Sequence, residues 1–158
     1  MTEAKSSEPQ KLTDPAEILF RQIHPAKLKR NGSLSPSHFM PGDNDEGMMS
    51  TNRETIGPDE AHRRWTEELE KPSLGTMGIS VEEIDGISIT PHPDRPAGAT
   101  AVSLQALDDA KQLAIPDHAS VDFTQCEYPA ELRQGGRKLL ELAEKREWLY
   151  KPEEPTIT

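Results

Sequence analysis

The chain contains a single cysteine, Cys126, among 158 residues. It can therefore form neither an intrachain disulfide nor a thiolate metal cage. Aromatic residues account for 4% and hydrophobic residues for 33%, the latter well below the ~45–50% of an ordinary globular chain. No apolar run approaches the ~18 residues of a membrane span, and the N-terminus lacks the apolar core of a signal peptide. A cytoplasmic protein with no membrane partner is expected. Positive charge is also scarce: 18 Lys and Arg stand against 28 Asp and Glu, a net charge of -10. That balance argues against a general nucleic-acid binder, whose affinity comes from a basic face against phosphates. It leaves room for a local basic patch and fits a protein partner.

Punctuation is plentiful. The 14 prolines and 10 glycines imply short elements and extensive loops around clustered apolar residues. Residues 1–14 are polar without a periodic face and read as a disordered lead-in. Residues 15–150 read as a single domain, and residues 151–158 as a flexible tail. The layout centres on Glu17 to Pro25, where Ile18–His24 reads as a strand that Pro25 ends by removing a backbone donor. Leu74–Val81 and His118–Phe123 alternate as further strands.

Helix signals open at Gly57-Pro58-Asp59-Glu60, with Pro at the first helical position and acids in the first turn. That helix spans Pro58–Lys71 with Ala61, Trp65 and Leu69 on one face. The longest helix covers Pro129–Trp148. Its Gly135-Gly136 pair costs ~2 kcal/mol relative to alanines, which a close backbone contact, a ligand, a kink or plain tolerance would explain. Leu104, Leu107, Ala110 and Ala114 place a third helix over Thr100–Ala114, although Val102 and Leu113 fall off its face. Leu149-Tyr150 reads as an edge strand. The fold class is α+β, a small mixed or antiparallel sheet covered by the two main helices.

One polar site gathers Arg21, His24, His38, Ser50 and Thr51 as ligand-binding candidates. The bland alternative has Arg21 paired with an internal carboxylate and His24 capping the strand, because polar groups in a core mostly satisfy one another. The five histidines lack the i, i+4 or i, i+2 spacing that presets a chelate, so no metal is expected. Cys126 with His118 as its base is disfavoured by the neighbouring Asp122 and Glu127, which oppose a thiolate. Trp65 and Trp148 are candidate interface anchors, with packing as the alternative.

The order of Arg21 at the end of a first strand and Ser50-Thr51 near a second resembles ADP-ribosyltransferase-like folds. The resemblance implies an arginine that holds a phosphate, a serine strand that shapes a nicotinamide pocket, and a late acid for which Glu127 or Glu131 would serve. The family's Glu-rich loop is absent. The stretch from Leu19 to Pro25, with Phe39-Met40-Pro41, Met49-Ser50 and His118–Phe123, also resembles a group of small bacterial proteins. That likeness spans most of Ile18–Tyr150, brings no established activity, and implies an accessory role in conflict or defence gene clusters. Two main expectations follow: a non-catalytic acidic protein that binds a protein partner without a cofactor, or a small nucleotide- or NAD-handling enzyme using Arg21, His24 and Ser50. A nucleic-acid module using Lys27, Lys29, Arg30 and Arg53 is a weaker third.

Overall fold

In the computed structural model, residues 8–42 and 45–152 are described. Six strands are present among them: β1 (Gln10–Lys11), β2 (Ile18–Gln22), β3 (Met48–Arg53), β4 (Thr76–Ser80), β5 (Gln105–Asp108) and β6 (His118–Asp122). They form one sheet in the order β1-β5-β6-β3-β2-β4, antiparallel throughout. Four α-helices accompany them: α1 (Pro58–Arg63), α2 (Val81–Asp85), α3 (Ala110–Leu113) and α4 (Pro129–Arg146). The fold is α+β.

Cross-strand partners share a face, so the register sorts the side chains. Leu19, Met77, Ile79, Met49, Val121, Ala119 and Ala106 fall on one face by these pairings. They belong to a single core with Leu139, Leu140 and Ala143 of α4. The opposite face carries Gln22, Thr76, Ser50, Asn52, His118 and Ser120. It is polar around Ser50 and apolar at Phe20 and Leu107, and it lies beneath α1, whose Pro58 carbonyl accepts from Thr76 Oγ1 at 3.0 Å.

Several expectations need correcting. The strand at Ile18–His24 stops at Gln22, because His24 turns out of the ladder to cap a short 3₁₀ turn, Pro25–Lys27, its Nδ1 accepting from the Ala26 N–H. Residues 10–12 are not a disordered lead-in: β1 pairs with β5 and Leu12 is buried; residues 1–7 lie outside the described ones, as do 153–158 of the expected tail. The helix at Thr100–Ala114 gives way to β5 and the four residues of α3. Val102, Leu104 and Ala106 are all buried, a period of two that outweighs the helical spacing of Leu104, Leu107 and Ala110. The helix at Pro58–Lys71 is α-helical only to Arg63 and widens into a π-helical turn over Arg64–Glu68.

Leu149-Tyr150 does border β4, as expected, through a bridge between Tyr150 and Thr76. The glycine pair in α4 is explained by close approach. A Cβ on Gly136 would stand 2.7 Å from the Pro36 carbonyl and 2.5 Å from Met40 Cγ, and one on Gly135 would stand 3.0 Å from Phe123. The 3₁₀ turn Pro36–Phe39 thus lies directly on α4. Gly136→Ala is expected to destabilise the fold by about 1–3 kcal/mol in urea denaturation, although alanine's helix propensity alone would favour it by about 1 kcal/mol. A neutral or stabilised variant would contradict that packing.

Candidate active site

Strands β2 and β3 pair over two residues only, Leu19↔Arg53 and Phe20↔Asn52. Beyond that point they separate, and the carbonyl of Ser50 loses its neighbour on the β2 side. Arg21 fills the gap: its Nη1 donates to the Ser50 carbonyl at 2.9 Å, its Nε to the His38 carbonyl at 2.8 Å and its Nη2 to the Met40 carbonyl at 3.4 Å. Arg21 therefore pairs with carbonyls rather than with the internal carboxylate anticipated. Burial lowers its pKa to about 10, with the Asp45 charge opposing. A rigid fork suits three acceptors from two chain segments.

Arg21 braces the turn that carries His38. That ring is buried, its Nε2 donating to the His24 carbonyl at 3.0 Å and its Nδ1 accepting from the Ser35 N–H at 3.1 Å. Burial is the largest influence lowering its pKa, and Lys27 and Arg21 add to it. His24, at the same rim, is lowered by burial, then by Lys27 and Lys71. Arg21, His24, His38 and Ser50 meet at one cavity of about 380 Å³, joined by Lys27 and Lys71. Thr51 does not join them as a ligand donor, since its hydroxyl donates to the buried Ala119 carbonyl at 2.9 Å.

The other side of Ser50 meets residues distant in sequence. Register places Ser50 opposite Ser120 and Asn52 opposite His118 on the polar face. Ser50 Oγ lies 3.2 Å from His118 Nε2, and His118 Nδ1 lies 2.6 Å from Asp109 Oδ1. Ser120 Oγ donates to Asp109 Oδ2 at 2.5 Å. Burial raises the Asp109 pKa, but the hydrogen bonds from His118 and Ser120 outweigh it, so the group stays below the usual carboxylate range. An ionised Asp109 can only accept, which puts the imidazole proton on Nδ1 and leaves Nε2 to accept from the Ser50 hydroxyl.

Ser50 and His118 line a cleft of about 510 Å³ between the polar face and the Pro58–Lys71 segment. Phe20, Trp65, Leu69 and Ile115 give the cleft its apolar walls. The wide π turn presents Trp65, whose indole N–H donates to the Pro72 carbonyl at 2.9 Å while Lys71 Nζ lies 4.8 Å from the ring centre. Asn52 also lines this cleft. Two residues from Ser50 on the same face, at roughly 7 Å between Cα atoms, its amide has no partner among the described residues.

Trp148 lies elsewhere, packed against the core with Lys151 over its ring at 4.8 Å. Cys126 packs there too, and burial, then the Glu131 charge, pushes its thiol up to about 11. His118 is not its base. Glu131 itself accepts from Arg95 Nε at 2.6 Å and from the His92 and Glu127 N–H groups at 2.9 Å, a latch between the 91–99 loop and α4. Among the described residues no three His, Cys, Asp or Glu side chains gather to hold a metal ion, and no helix is long and apolar enough to cross a membrane. No protein family, curated protein or solved structure matches the chain.

His38 and His24 have pKa values below that of an unfolded histidine, so the unfolded chain takes up protons first as the solution is acidified. Their contribution is fully present above pH ~6.5 and is lost as pH falls toward the depressed folded values. Urea midpoints are expected to fall between pH 7 and 5, less steeply in His38→Gln; a flat profile would contradict neutral, buried His38. Arg21→Met leaves the three carbonyls short of a donor and is expected to cost about 2–4 kcal/mol, read from the same denaturation curves.

Proposed function

We propose that the protein is a serine-dependent hydrolase of esters or related acyl compounds, with Ser50 as nucleophile, His118 as general base and Asp109 as the group that orients His118. The observation that carries this reading is the chain of hydrogen bonds Ser50–His118–Asp109 at 3.2 and 2.6 Å, opening onto an apolar-walled cleft.

The steps follow from the geometry. Ser50 Oγ attacks the acyl carbon while its proton passes to His118 Nε2, and the imidazolium is stabilised by the Asp109 carboxylate. The tetrahedral intermediate places its negative oxygen where the Asn52 amide is available as a donor. Collapse breaks the bond to the leaving group, which takes the proton from His118 and departs. Water then attacks the acyl-Ser50 ester, gives its proton to His118, and frees the acid and the Ser50 hydroxyl.

A second reading draws on Leu69 and Ile115, exposed by 56% and 45% at the cleft rim. A protein partner seated there would cover these two side chains.

A fluorophosphonate probe tests the nucleophile. Intact-mass spectrometry is expected to show one covalent adduct on the wild-type chain at Ser50, none on Ser50→Ala, and labelling slowed by about 10³-fold or more on His118→Ala. Adducts elsewhere, or equal labelling of His118→Ala, would overturn the assignment.

A further inference from the structure

Ser50 borders two cavities at once, which share Arg21, Gln22, Trp65 and Lys71 and differ in the rest of their lining. The cleft on its His118 side alone holds Phe20, Leu69, Ile115 and Pro116, together with Arg63 and Arg64, whose charges pair with Glu60, Glu68 and Asp117. The cavity on its other side alone holds His24, Lys27, His38 and Asp45, and with the shared Arg21 and Lys71 it sets three cations against one acid. In a chain of net charge -10 that is a local excess of positive charge. The cations there act on one another: Lys27 has its pKa lowered first by burial and then by Arg21, with Asp45 only partly opposing. Most of their donors remain available. Lys27 Nζ makes one long contact, 3.5 Å to the Ser37 carbonyl, and Lys71 Nζ lies over the Trp65 ring.

Which half of a substrate enters which cavity is set by the proton. The leaving group must receive it from His118, and His118 lines the apolar cleft but not the basic cavity. The leaving group therefore departs through the apolar cleft, and the acyl portion points into the basic cavity. Resting on the hydrolase reading above, we infer that the substrate is an acyl ester whose acyl chain ends in an anion, a carboxylate or a phosphate-like group, and whose leaving group is apolar. Lys27, which lines the basic cavity alone, holds the anion by charge-assisted hydrogen bonds with Lys71 beside it, and Phe20 and Ile115 pack against the leaving group.

Four steady-state measurements and one binding measurement test this. The probes are the mono-4-nitrophenyl ester of glutaric acid, its neutral counterpart 4-nitrophenyl pentanoate, and 4-nitrophenyl 3-phosphonopropanoate. The glutarate or the phosphonate ester is expected to show a KM about tenfold lower than the neutral ester, and the better of the two tells carboxylate from phosphate. Lys27→Gln is expected to erase that advantage through KM, with kcat retained. Raised salt is expected to shrink it in the wild type only.

The binding arm is separate from the reaction. Isothermal titration of Ser50→Ala with glutarate and with inorganic phosphate is expected to show binding of at least one, lost in the Ser50→Ala, Lys27→Gln, Lys71→Gln chain. Ser50-dependent hydrolysis with no preference for the anionic esters would overturn the anion inference and leave the hydrolase reading standing. Anion binding without hydrolysis of any ester would overturn the hydrolase reading, and with it the inferred substrate. Absence of both would overturn each.

Discussion

The register between β3 and β6 is the constraint on which the site depends. Ser50 faces Ser120 and Asn52 faces His118 because Met49 and Thr51 pair with Val121 and Ala119 on the buried side. A slip of one residue would set Ser50 beside Ala119 or Val121 on one face and leave His118 on the other. Burial of apolar side chains on one face thus fixes the polar arrangement on the other. Asp109 then enters from the start of α3 and holds both His118 and Ser120.

A second constraint comes from the short pairing between β2 and β3. Two strands that stay together for two residues leave a gap, and Arg21 closes it with three carbonyl contacts. The same guanidinium fixes the turn around His38, which in turn lies on Gly136 of α4. Both sides of the sheet are linked through this path. The basic cavity is a product of the gap, and the apolar cleft is a product of the π turn that carries Trp65 away from a regular helical course. Arg21, Gln22, Ser50, Trp65 and Lys71 border both.

Much of the framework was legible in the sequence for local reasons. Alternation marked β2, β4 and β6, and Pro58 and Pro129 marked helix starts, because these signals reside within a few neighbouring residues. β5 was hidden because Leu104 and Leu107 satisfied a helical spacing while Val102, Leu104 and Ala106 satisfied a strand's; burial of the second set decided the matter. Arg21 and Ser50 were singled out as polar groups near strand ends, yet their role depended on a gap between strands. Asp109 and His118 were missed as a pair. The alternation around Ala119 and Val121 did place His118 and Ser120 together on one face, but which strand they would meet is a non-local fact, with a sequence separation of 68 between Ser50 and His118.

The central claim is that Asp109 holds the His118 imidazole by its Nδ1 proton and aims Nε2 at Ser50. Proton NMR at low temperature measures this most directly, since an imidazole N–H donated to a buried carboxylate gives a strongly downfield resonance. The account predicts such a signal in the wild-type chain, retained in Ser50→Ala and lost in Asp109→Ala with the fold otherwise intact. Its absence from the wild-type spectrum, or its persistence in Asp109→Ala, would contradict the account.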